Sequence, residues 1–369
     1  MKTIRVGIIG QGRSGRDIHG VYLATDSRYK IVAVADTIAG RRKRAIAEYQ
    51  CDAYRDHQQL LQRKDLDLIV NASFSHQHAP ISLECLQAGF HVLSEKPFAA
   101  RVKEVDRLIA AARRAKKVLA VFHQSHFAPH FQQVRQVIDS GVLGRIVQIS
   151  IAYNGWARRW DWQTLMDYNA GSLLNTGPHP LHQGLTLFGD AMPKVACFMD
   201  RTDGSSGNAE NHVKVIFSGA GHPLVDIEVS SCCAYPPVTF NVYGTRGGLK
   251  STGSNVEWRY IKWDESPKHK LTTVPISNPD GTPAYPVDNL QWHTGAWPEA
   301  VPADTKNKTG YSAAAAATTN MTQAYYDRLY ETLTAGTPME VTVAMARRQI
   351  AVIEECQRQN PQIYGKRRK

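Results

Sequence analysis

The sequence lacks several features that define large classes of protein. No apolar run approaches the ~18–20 residues of a membrane-spanning helix, and the N-terminus has no long apolar segment followed by a small-residue cleavage site. The six cysteines among 369 residues form no Cys-x-x-Cys pair, which is typical of reduced thiols. These absences predict a cytoplasmic protein with no membrane segment and no disulfide framework.

A nucleic-acid-binding motif is also missing, although the formal net charge is +11. Part of the excess positive charge is concentrated in the runs 41–44, 113–117 and 366–369. We interpret these runs as solvated helix faces and a tail. No basic segment is interleaved with aromatic residues in the manner of an RRM or OB fold. We therefore expect no nucleic-acid partner, while the charge still attracts anionic ligands such as a dinucleotide.

Metal-binding signatures are sparse as well. Three histidine pairs occur, namely His76 and His78, His123 and His126, and His179 and His182. Zinc usually takes three or four ligands in fixed geometry, and the sequence contains neither His-Glu-x-x-His nor a cysteine cluster. We expect no bound metal.

The length favours two domains, since single cores rarely exceed ~200 residues. In the first third, short apolar segments typical of buried parallel strands alternate with helical patterns. The predicted strands are 3–9, 31–35, 66–72, 91–95 and 118–122, and the predicted helices include 79–88 and 99–117. This alternation predicts a doubly wound parallel sheet, the Rossmann arrangement, in a domain over 1–124.

The pattern changes in the predicted second domain, 125–369. Period-two alternation predicts an antiparallel or mixed sheet with one polar face; its strands are 146–153, 213–218, 225–231, 239–243 and 257–263. Helices are predicted at 130–140, 325–336 and 343–359. The proline-dense segment 267–302 indicates a long irregular excursion, either a lid or an interface arm.

A glycine-rich motif, Gly10-Gln11-Gly12-Arg13-Ser14-Gly15, directly follows the first strand and precedes a predicted helix. In this context the first glycine permits a tight turn, the second admits a pyrophosphate, and the third lets helix and strand pack closely. The free N–H groups at the helix start favour an anion. The motif predicts a dinucleotide site.

Asp36 ends the second predicted strand, about 20 residues further on, where a carboxylate binds the ribose hydroxyls and repels a 2′-phosphate. This favours NAD over NADP as the cofactor. Arg41 and Arg42 follow closely and favour the reverse, since a guanidinium accommodates the 2′-phosphate.

Two further segments carry the chemistry. Ser94-Glu95-Lys96-Pro97-Phe98 follows a predicted strand, so Lys96 points towards the crevice of the glycine loop. Gly171-Ser172-Leu173-Leu174-Asn175-Thr176-Gly177-Pro178-His179 leads into a helix that starts at Pro178. There the missing proline N–H costs nothing, and the positive helix end disfavours an imidazolium at His179.

With Gly141-x-x-Gly144-Arg145 and Tyr243-Gly244-Thr245-x-Gly247, these motifs resemble the glucose–fructose oxidoreductase/inositol dehydrogenase (Gfo/Idh/MocA) family over nearly the whole chain. The resemblance implies a Rossmann domain followed by an α/β domain with an open, mostly antiparallel sheet. It also implies a homodimer or homotetramer formed on that sheet, and NAD(P)-dependent chemistry at a secondary alcohol of a sugar, glycoside or cyclitol.

The resemblance also implies roles for particular residues. Lys96 and His179 correspond to the catalytic lysine and histidine, and Glu95 lies near the nicotinamide ribose. Many members carry aspartate where this chain has Asn175. An amide cannot raise imidazole basicity as a carboxylate does, although it can orient the ring or a substrate hydroxyl. This departure shifts the expected proton transfer towards Lys96.

The remaining site predictions are of two kinds. The substrate is expected to contact polar and aromatic residues of the second domain and of the last Rossmann loop: Gln124, His126, Tyr153, Arg159, Trp160, Asp161, Trp162, Asn175 and His182. The cofactor is expected to contact the glycine loop and the strand ends: Gly10, Gly12, Arg13, Ser14, Gly15, Asp36, Arg41, Ser73, His78, Glu95, Lys96 and Pro97.

The sequence leaves three activities open. The first is an NAD-dependent dehydrogenase of sugars, glycosides or inositols. The second is a glycosidase that oxidises its sugar transiently and shows no net redox change. The third is a nucleotide-sensing regulator without catalysis, against which the presence of both Lys96 and His179 argues.

Overall fold

The structure is a computed structural model that describes residues 2–270, 272–298 and 310–365. The basic tail at 366–369 lies outside the described residues, as do residues 271 and 299–302 of the proline-dense segment. Side chains of residues 310–319 are likewise not described.

Within the described ranges, a first sheet contains six strands, all paired in parallel, in the order β3-β2-β1-β4-β5-β6. They are β1 (Ile4–Ile9), β2 (Tyr29–Ala35), β3 (Asp52–Tyr54), β4 (Leu68–Asn71), β5 (His91–Ser94) and β6 (Leu119–Val121). This strand order is that of a dinucleotide-binding Rossmann sheet, in which ligands bind at the carboxyl ends where the order reverses, here between β1 and β4. The prediction of a doubly wound parallel sheet is confirmed.

Helices cover both faces of this sheet. A π-helix (Ser14–Gly20) continues into α1 (Val21–Thr25), followed by α2 (Ala39–Tyr49), α3 (His57–Leu61), α4 (His78–Gln87) and α5 (Val102–Ala115). Gly89 follows α4 with φ +89°, a left-handed conformation that glycine commonly adopts just after a helix. In α5, Val105 and Leu108 are buried against the sheet, as the periodicity predicts.

The second sheet comprises eight strands in the part of the chain that the structure describes, in the order β14-β13-β12-β11-β7-β10-β9-β8. They are β7 (Ile146–Asn154), β8 (Lys194–Asp200), β9 (His212–Ser218), β10 (Leu224–Ser230), β11 (Phe240–Gly244), β12 (Gly247–Ser251), β13 (Val256–Tyr260) and β14 (His293–Trp297). Every pairing is antiparallel except that of β7 with β10. A mostly antiparallel sheet is therefore confirmed.

Six α-helices follow the first sheet along the chain in the described ranges: α6 (Pro129–Asp139), α7 (Ser172–Asn175), α8 (Pro178–Phe188), α9 (Gly310–Ala335), α10 (Val343–Gln359) and α11 (Pro361–Tyr364). Pro178 is the first residue of α8, and Gly189 ends it with φ +98°. Leu181, Leu185 and Phe188 are buried, so the predicted apolar face of α8 packs on the core.

Helix α9 packs on the other domain. Its residues Tyr325, Tyr326 and Leu329 are buried in one cluster with residues of β1 and β2, such as Val6 and Val34. The chain therefore returns from the second predicted domain to complete the core of the first. We propose that the regions 1–124 and 125–369 fold as two domains joined by this contact.

The elements that the sequence did not predict are short or lie at sheet edges. β3 has three residues, and β8 and β14 form the two edges of the second sheet. In β8, Cys197 and Met199 face the core while Phe198 is exposed, so apolar residues on both faces obscure the period of two. The predicted strand 257–263 ends earlier, at Tyr260.

Candidate active site

The glycine loop has the conformation that its sequence predicts. Gly10 has φ +89°, and a Cβ there would collide with the carbonyl oxygen of Ala72. A Cβ at Gly15 would collide with the carbonyl oxygen of Gly10, so helix and strand pack as closely as the motif requires. Above Gly12 the space is open, because the nearest atom to a Cβ there is Arg41 Nη1 at 3.7 Å. The loop is a cradle that a phosphate fits.

Asp36 is held between the glycine loop and the start of α2. Its Oδ2 accepts the backbone N–H of Gln11 at 2.7 Å, and its Oδ1 accepts that of Ile38 at 2.8 Å. The side-chain amide of Gln11 is buried beside this contact, and both of its polar atoms lack a partner among the described residues. An unpartnered buried amide next to a phosphate cradle fits a bound dinucleotide.

The basic run of α2 serves this loop rather than solvent alone. Arg42 Nη1 donates to the carbonyl oxygen of Asp36 at 2.8 Å, and Arg44 Nη2 donates to that of Gln11 at 3.0 Å. Arg41 Nη1 lies 3.4 Å from Asp36 Oδ2. Arg41 therefore neutralises part of the charge with which Asp36 would repel a 2′-phosphate.

Lys96 joins the two domains. It lies just beyond β5, and its Nζ donates a 2.7 Å hydrogen bond to the backbone carbonyl oxygen of Asn175, the last residue of α7. Burial lowers the pKa of Lys96 from its usual value, and the charges of Arg13 and Arg159 lower it further, while Glu95 opposes them. The amine therefore loses its proton more readily than an exposed lysine.

Glu95, next to Lys96, remains ionised although it is buried. Burial alone would raise its pKa, but a hydrogen bond from His19 and the charges of His19 and Lys96 outweigh burial and lower the pKa of Glu95 to about 2. His19 Nε2 lies 3.2 Å from Glu95 Oε1, and its Nδ1 lies 2.8 Å from the hydroxyl of Tyr326 in α9. No motif marks His19, which the π-helix turns inward.

His179 lies in the first turn of α8. Its Nδ1 is 2.9 Å from Ser125 Oγ, in a 3₁₀ turn (Gln124–Phe127) that follows β6. Burial holds the pKa of His179 well below its usual value, and the charge of Lys96 adds to this effect. The predicted neutral imidazole thus has burial, rather than the helix end, as its main cause. Among the described residues no partner bonds Nε2, which leaves it available to a ligand.

Asn175 does not orient His179, since its side chain belongs to another set of hydrogen bonds. Its Oδ1 accepts from Gln163 Nε2 at 2.7 Å, and Gln163 Oε1 accepts from Arg159 Nη2. A guanidinium only donates, so it fixes the orientation of the Gln163 amide and, through it, that of Asn175. The Nδ2 group of Asn175 is therefore the end left to donate to a ligand.

The aromatic and charged run 156–162 divides between two surroundings. Trp162 packs edge-on against Phe74, with ring centroids 5.0 Å apart, and so links the second domain to the loop after β4. Asp161 Oδ2 accepts from Arg159 Nε at 2.9 Å. Trp160, by contrast, is 79% exposed, so its ring has no packing role and stays a predicted substrate contact.

Two predicted substrate residues, His126 and His182, bond to each other. His126 Nδ1 lies 2.9 Å from His182 Nε2, and His126 Nε2 lies 2.9 Å from Glu340 Oε1. Each residue is only 2% exposed. Both rings therefore lie behind the site rather than on its surface. The sequence showed the spacing of these histidines but could not show the side chains packed against them.

The other predicted residues hold the loops or line the cleft. His78 places its ring nitrogens 2.7 Å and 3.1 Å from the carbonyl oxygens of Pro97 and Ser73, so it ties together the loops after β4 and β5. Tyr153 donates to Gln183 Oε1 at 3.0 Å. Gln124 Oε1 is buried without a partner among the described residues.

A cavity of about 80 Å³ adjoins these groups in the second domain. It is lined by Tyr153, Arg159, Gln163, Asn175, Thr176 and Glu210, among others. Sequence reasoning missed Gln163, Ser125 and Glu210. Gln163 and Ser125 are neighbours in the sequence of residues that were predicted, and this proximity was the only sequence feature that could have indicated them. Glu210 carried no signal.

Comparison with protein families agrees with this geometry. The oxidoreductase family with an NAD-binding Rossmann fold, GFO_IDH_MocA, matches residues 4–123, and the GFO/IDH/MocA C-terminal domain matches residues 131–250. The chain belongs to the Gfo/Idh/MocA family. Its first domain has the NAD-binding Rossmann fold of this oxidoreductase family, as the motifs predicted.

Curated relatives include dehydrogenases of cyclitols. The NADP⁺-dependent scyllo-inositol 2-dehydrogenase of Bacillus subtilis is 29% identical over 195 residues, which cover 52% of this chain and 53% of the relative. An inositol 2-dehydrogenase of Salmonella typhimurium is 29% identical over 150 residues, or 40% of this chain and 45% of the relative. The chain thus spans about half the length of these curated relatives.

Solved structures share the fold over nearly the whole chain. GenD2 of gentamicin A biosynthesis, in complex with NAD, has a TM-score of 0.75 at 20% identity and covers 97% of this chain and 94% of its own. The WlbA dehydrogenase of Bordetella pertussis, in complex with NADH and UDP-GlcNAcA, has a TM-score of 0.74 at 20% identity and covers 98% and 96%. At this identity the likeness shows that the fold is shared.

The residues present fit NAD. The open cradle at Gly12, the unpartnered Gln11 amide and Asp36 would hold the pyrophosphate and the adenosine ribose. When bound, NAD⁺ supplies a hydride acceptor. The chain itself supplies Lys96, with its lowered pKa, and a neutral His179 at the same junction of the two domains.

No helix in the described residues is long and apolar enough to cross a membrane.

Proposed function

We propose that this protein is an NAD-dependent dehydrogenase that oxidises a secondary hydroxyl of a sugar, glycoside or cyclitol. The observation that carries the proposal is the 2.7 Å bond from Lys96 Nζ to Asn175 O, which brings a lysine of lowered pKa beside the cleft of the second domain. The named activities of the inositol dehydrogenase relatives support this substrate class.

In this reaction Lys96 takes the hydroxyl proton. Its lowered pKa makes the neutral amine easier to reach than in an exposed lysine, and the bond to Asn175 O directs Nζ towards the cleft. His179 Nε2 accepts a hydrogen bond from the same or a neighbouring hydroxyl, while Ser125 fixes its ring. Asn175 Nδ2 donates to a further substrate oxygen, because Gln163 occupies its Oδ1.

The substrate ring lies between the second domain and the loops of the first. Arg159 lines the cavity and bonds Asp161, and Trp160 between them in the chain is exposed. This segment offers hydrogen bonds and a flat apolar face to a polyol ring. Asp36 favours NAD over NADP, although the position of Arg41, 3.4 Å away, weakens the discrimination.

A substrate panel tests the proposal. The protein is incubated with NAD⁺ and with myo-inositol, scyllo-inositol, glucose, glucuronate or an aryl glucoside, and NADH absorbance is followed. We expect NADH to accumulate with at least one polyol. Release of the aryl group without NADH would instead support the redox-assisted glycosidase. Binding of NAD without either reaction would support the regulator.

We also propose that a second copy of the chain covers the outer face of β11 to β14, giving a homodimer or homotetramer. A groove of about 1110 Å³ lies on this face, away from the predicted catalytic residues. Tyr243 and Trp292 line it and are 47% and 44% exposed. Light scattering should show a dimer or larger assembly that Tyr243→Glu dissociates; a monomeric wild type would contradict the proposal.

A further inference from the structure

Three titratable side chains form an unbroken line from the region behind His179 to the protein surface. His182 Nε2 lies 2.9 Å from His126 Nδ1, and His126 Nε2 lies 2.9 Å from Glu340 Oε1. The two histidines are 2% exposed, whereas the side chain of Glu340 is 41% exposed. The line therefore begins in the core and ends in solvent.

The hydrogen bonds in this line have one direction. An ionised carboxylate only accepts, so His126 carries its proton on Nε2 to bond Glu340 at 2.9 Å. The longer 3.3 Å contact of Arg135 Nη1 with this nitrogen is then not a hydrogen bond, because it would need a lone pair there. Nδ1 of His126 is then an acceptor, and His182 must donate from Nε2. The consequence is that Nδ1 of His182, at the inner end, bears a lone pair that can take up a proton.

Two cations border the outer end. Arg135 Nη1 lies 3.3 Å from His126 Nε2 and 3.7 Å from Glu340 Oε1, and Arg328 Nε lies 4.0 Å from Glu340 Oε2. Both favour the ionised carboxylate. Neither can accept a proton, so neither competes with Glu340 for the proton of His126.

The inner end reaches the catalytic lysine through His123. The His123 ring stacks on that of His182, with centroids 4.8 Å apart and planes 8° apart. Both ring nitrogens of His123 are buried without a partner among the described residues. Lys96 and His123 each lie two residues beyond the paired strand residues Ser94 and Val121, so both follow the carboxyl ends of the neighbouring strands β5 and β6. Burial, and after it the charge of Lys96, lowers the pKa of His123 to about 3.

A purely structural role accounts poorly for these rings. A buried polar atom that lacks a partner destabilises the fold, and His123 has two such atoms among the described residues. The proposed oxidation, however, releases one proton per turnover at a lysine held between two domains, and that proton must leave.

We propose that His123, His182, His126 and Glu340 form the route by which this proton passes from Lys96 to solvent. The inference rests on the proposed dehydrogenase function. The substrate O–H bond breaks and its proton joins the Lys96 amine, while the hydride of the neighbouring C–H bond goes to the cofactor. Lys96 then returns to the neutral amine by passing the proton to a ring nitrogen of His123.

The later steps follow the direction of the hydrogen bonds. Stacked rings do not point N–H groups at each other, so one water molecule carries the proton from His123 to Nδ1 of His182. The Nε2 proton of His182 passes to Nδ1 of His126, and the Nε2 proton of His126 passes to Glu340 and then to solvent. Proton exchange with water then returns each ring from the Nδ1–H to the Nε2–H tautomer. Reduction of a ketone uses the route inward, starting from the Nδ1–H tautomers.

The first test needs no substrate. Full-length protein labelled with ¹⁵N-histidine and saturated with NAD is examined by long-range ¹H–¹⁵N correlation, with His126→Gln and His182→Gln spectra for assignment. We expect both His126 and His182 to be neutral and protonated on Nε2. A proton on Nδ1 of either ring would overturn the proposed direction.

The second test uses the polyol of the panel that reduces NAD⁺ fastest. Glu340→Gln removes the outer acceptor at an exposed position. At low buffer concentration we expect about a tenfold loss of kcat with KM unchanged, below the ~10²–10⁴-fold worth of a positioned acid or base because water replaces the carboxylate. Added imidazole should restore kcat, and the solvent isotope effect should rise.

The matched control is Glu331→Gln, a glutamate that also contacts Arg328 and is 45% exposed but lies outside the line. It should behave as wild type. If Glu340→Gln keeps full kcat at low buffer, or loses kcat that imidazole does not restore, the route is wrong. If no polyol reduces NAD⁺, the proposed function fails while the tautomer test still stands.

Discussion

Lys96 Nζ lies 2.7 Å from the backbone carbonyl oxygen of Asn175, 79 residues further along the chain. A carbonyl oxygen orients an amine without adding a charge that would hold it protonated. Burial and the charges of Arg13 and Arg159 then lower its pKa. The contact therefore gives Lys96 the position of a general base, and its surroundings lower the pKa in the direction that such a role needs.

Replacing this lysine should separate chemistry from binding. We expect Lys96→Met to lower turnover by about 10²–10⁴-fold, the usual worth of a positioned acid or base. NAD affinity by calorimetry should stay within a few-fold, because the glycine loop and Asp36 hold most of the cofactor. Lys103→Met, on the exposed face of α5, is the matched control. Near-normal turnover of Lys96→Met would assign the proton to His179.

The second prediction concerns the amide at position 175. Asn175→Asp retains the bond from Gln163 and adds a negative charge beside Lys96. A carboxylate favours the charged forms of Lys96 and His179, so it raises their lowered pKa values. Because the base acts unprotonated, the acidic limb of the pH–rate profile should move to higher pH. An unchanged limb would show that the titrating group lies elsewhere.

Removal of the carboxylate of Asp36 should narrow the difference in binding affinity between NAD and NADP. Calorimetry of wild type should show NAD binding several-fold tighter than NADP. In Asp36→Ala both affinities should fall, since the N–H groups of Gln11 and Ile38 lose their acceptor, but NAD should lose more. Arg41→Gln should widen the difference in affinity between NAD and NADP. Equal wild-type affinities would mean that Arg41 binds the 2′-phosphate.

Glu210 predicts a pH dependence of stability. Burial raises its pKa from 4.5 to about 7, although Leu173 N–H and the Tyr364 hydroxyl bond its oxygens. Because the pKa is raised in the folded state, the contribution of Glu210 to the free energy of unfolding is complete below pH 4.5 and is lost as the pH rises through 7. At ~1.4 kcal/mol per unit the loss is about 3 kcal/mol.

Chemical denaturation at pH 5 and pH 8 measures this loss. Glu210→Gln, an uncharged isostere, should be more stable than wild type at pH 8 and close to it at pH 5. Glu331→Gln, a partly exposed residue paired with Arg328, should change little at either pH. If Glu210→Gln destabilises the protein equally at both values, Glu210 remains ionised in the fold and the prediction is wrong.

The sequence by itself determined the architecture of the first domain and the location of the chemistry. Its apolar strands and helical periods predicted the parallel sheet, because a strand buried on both faces needs a continuous apolar run. The glycine loop was predictable because a Cβ at Gly10 or Gly15 would collide with backbone atoms, so these positions need glycine. Lys96 was placed at the cleft since carboxyl ends of parallel strands meet at one edge.

Only the tertiary structure decided which of the predicted polar residues face the cleft. His126 and His182 carry the same signal as His179 in the sequence, yet they bond each other and Glu340, a residue 214 positions beyond His126. Gln163 sets the direction of the Asn175 amide, and Ser125 sets the ring of His179. Such contacts depend on packing between distant elements, and no local pattern of residues encodes them.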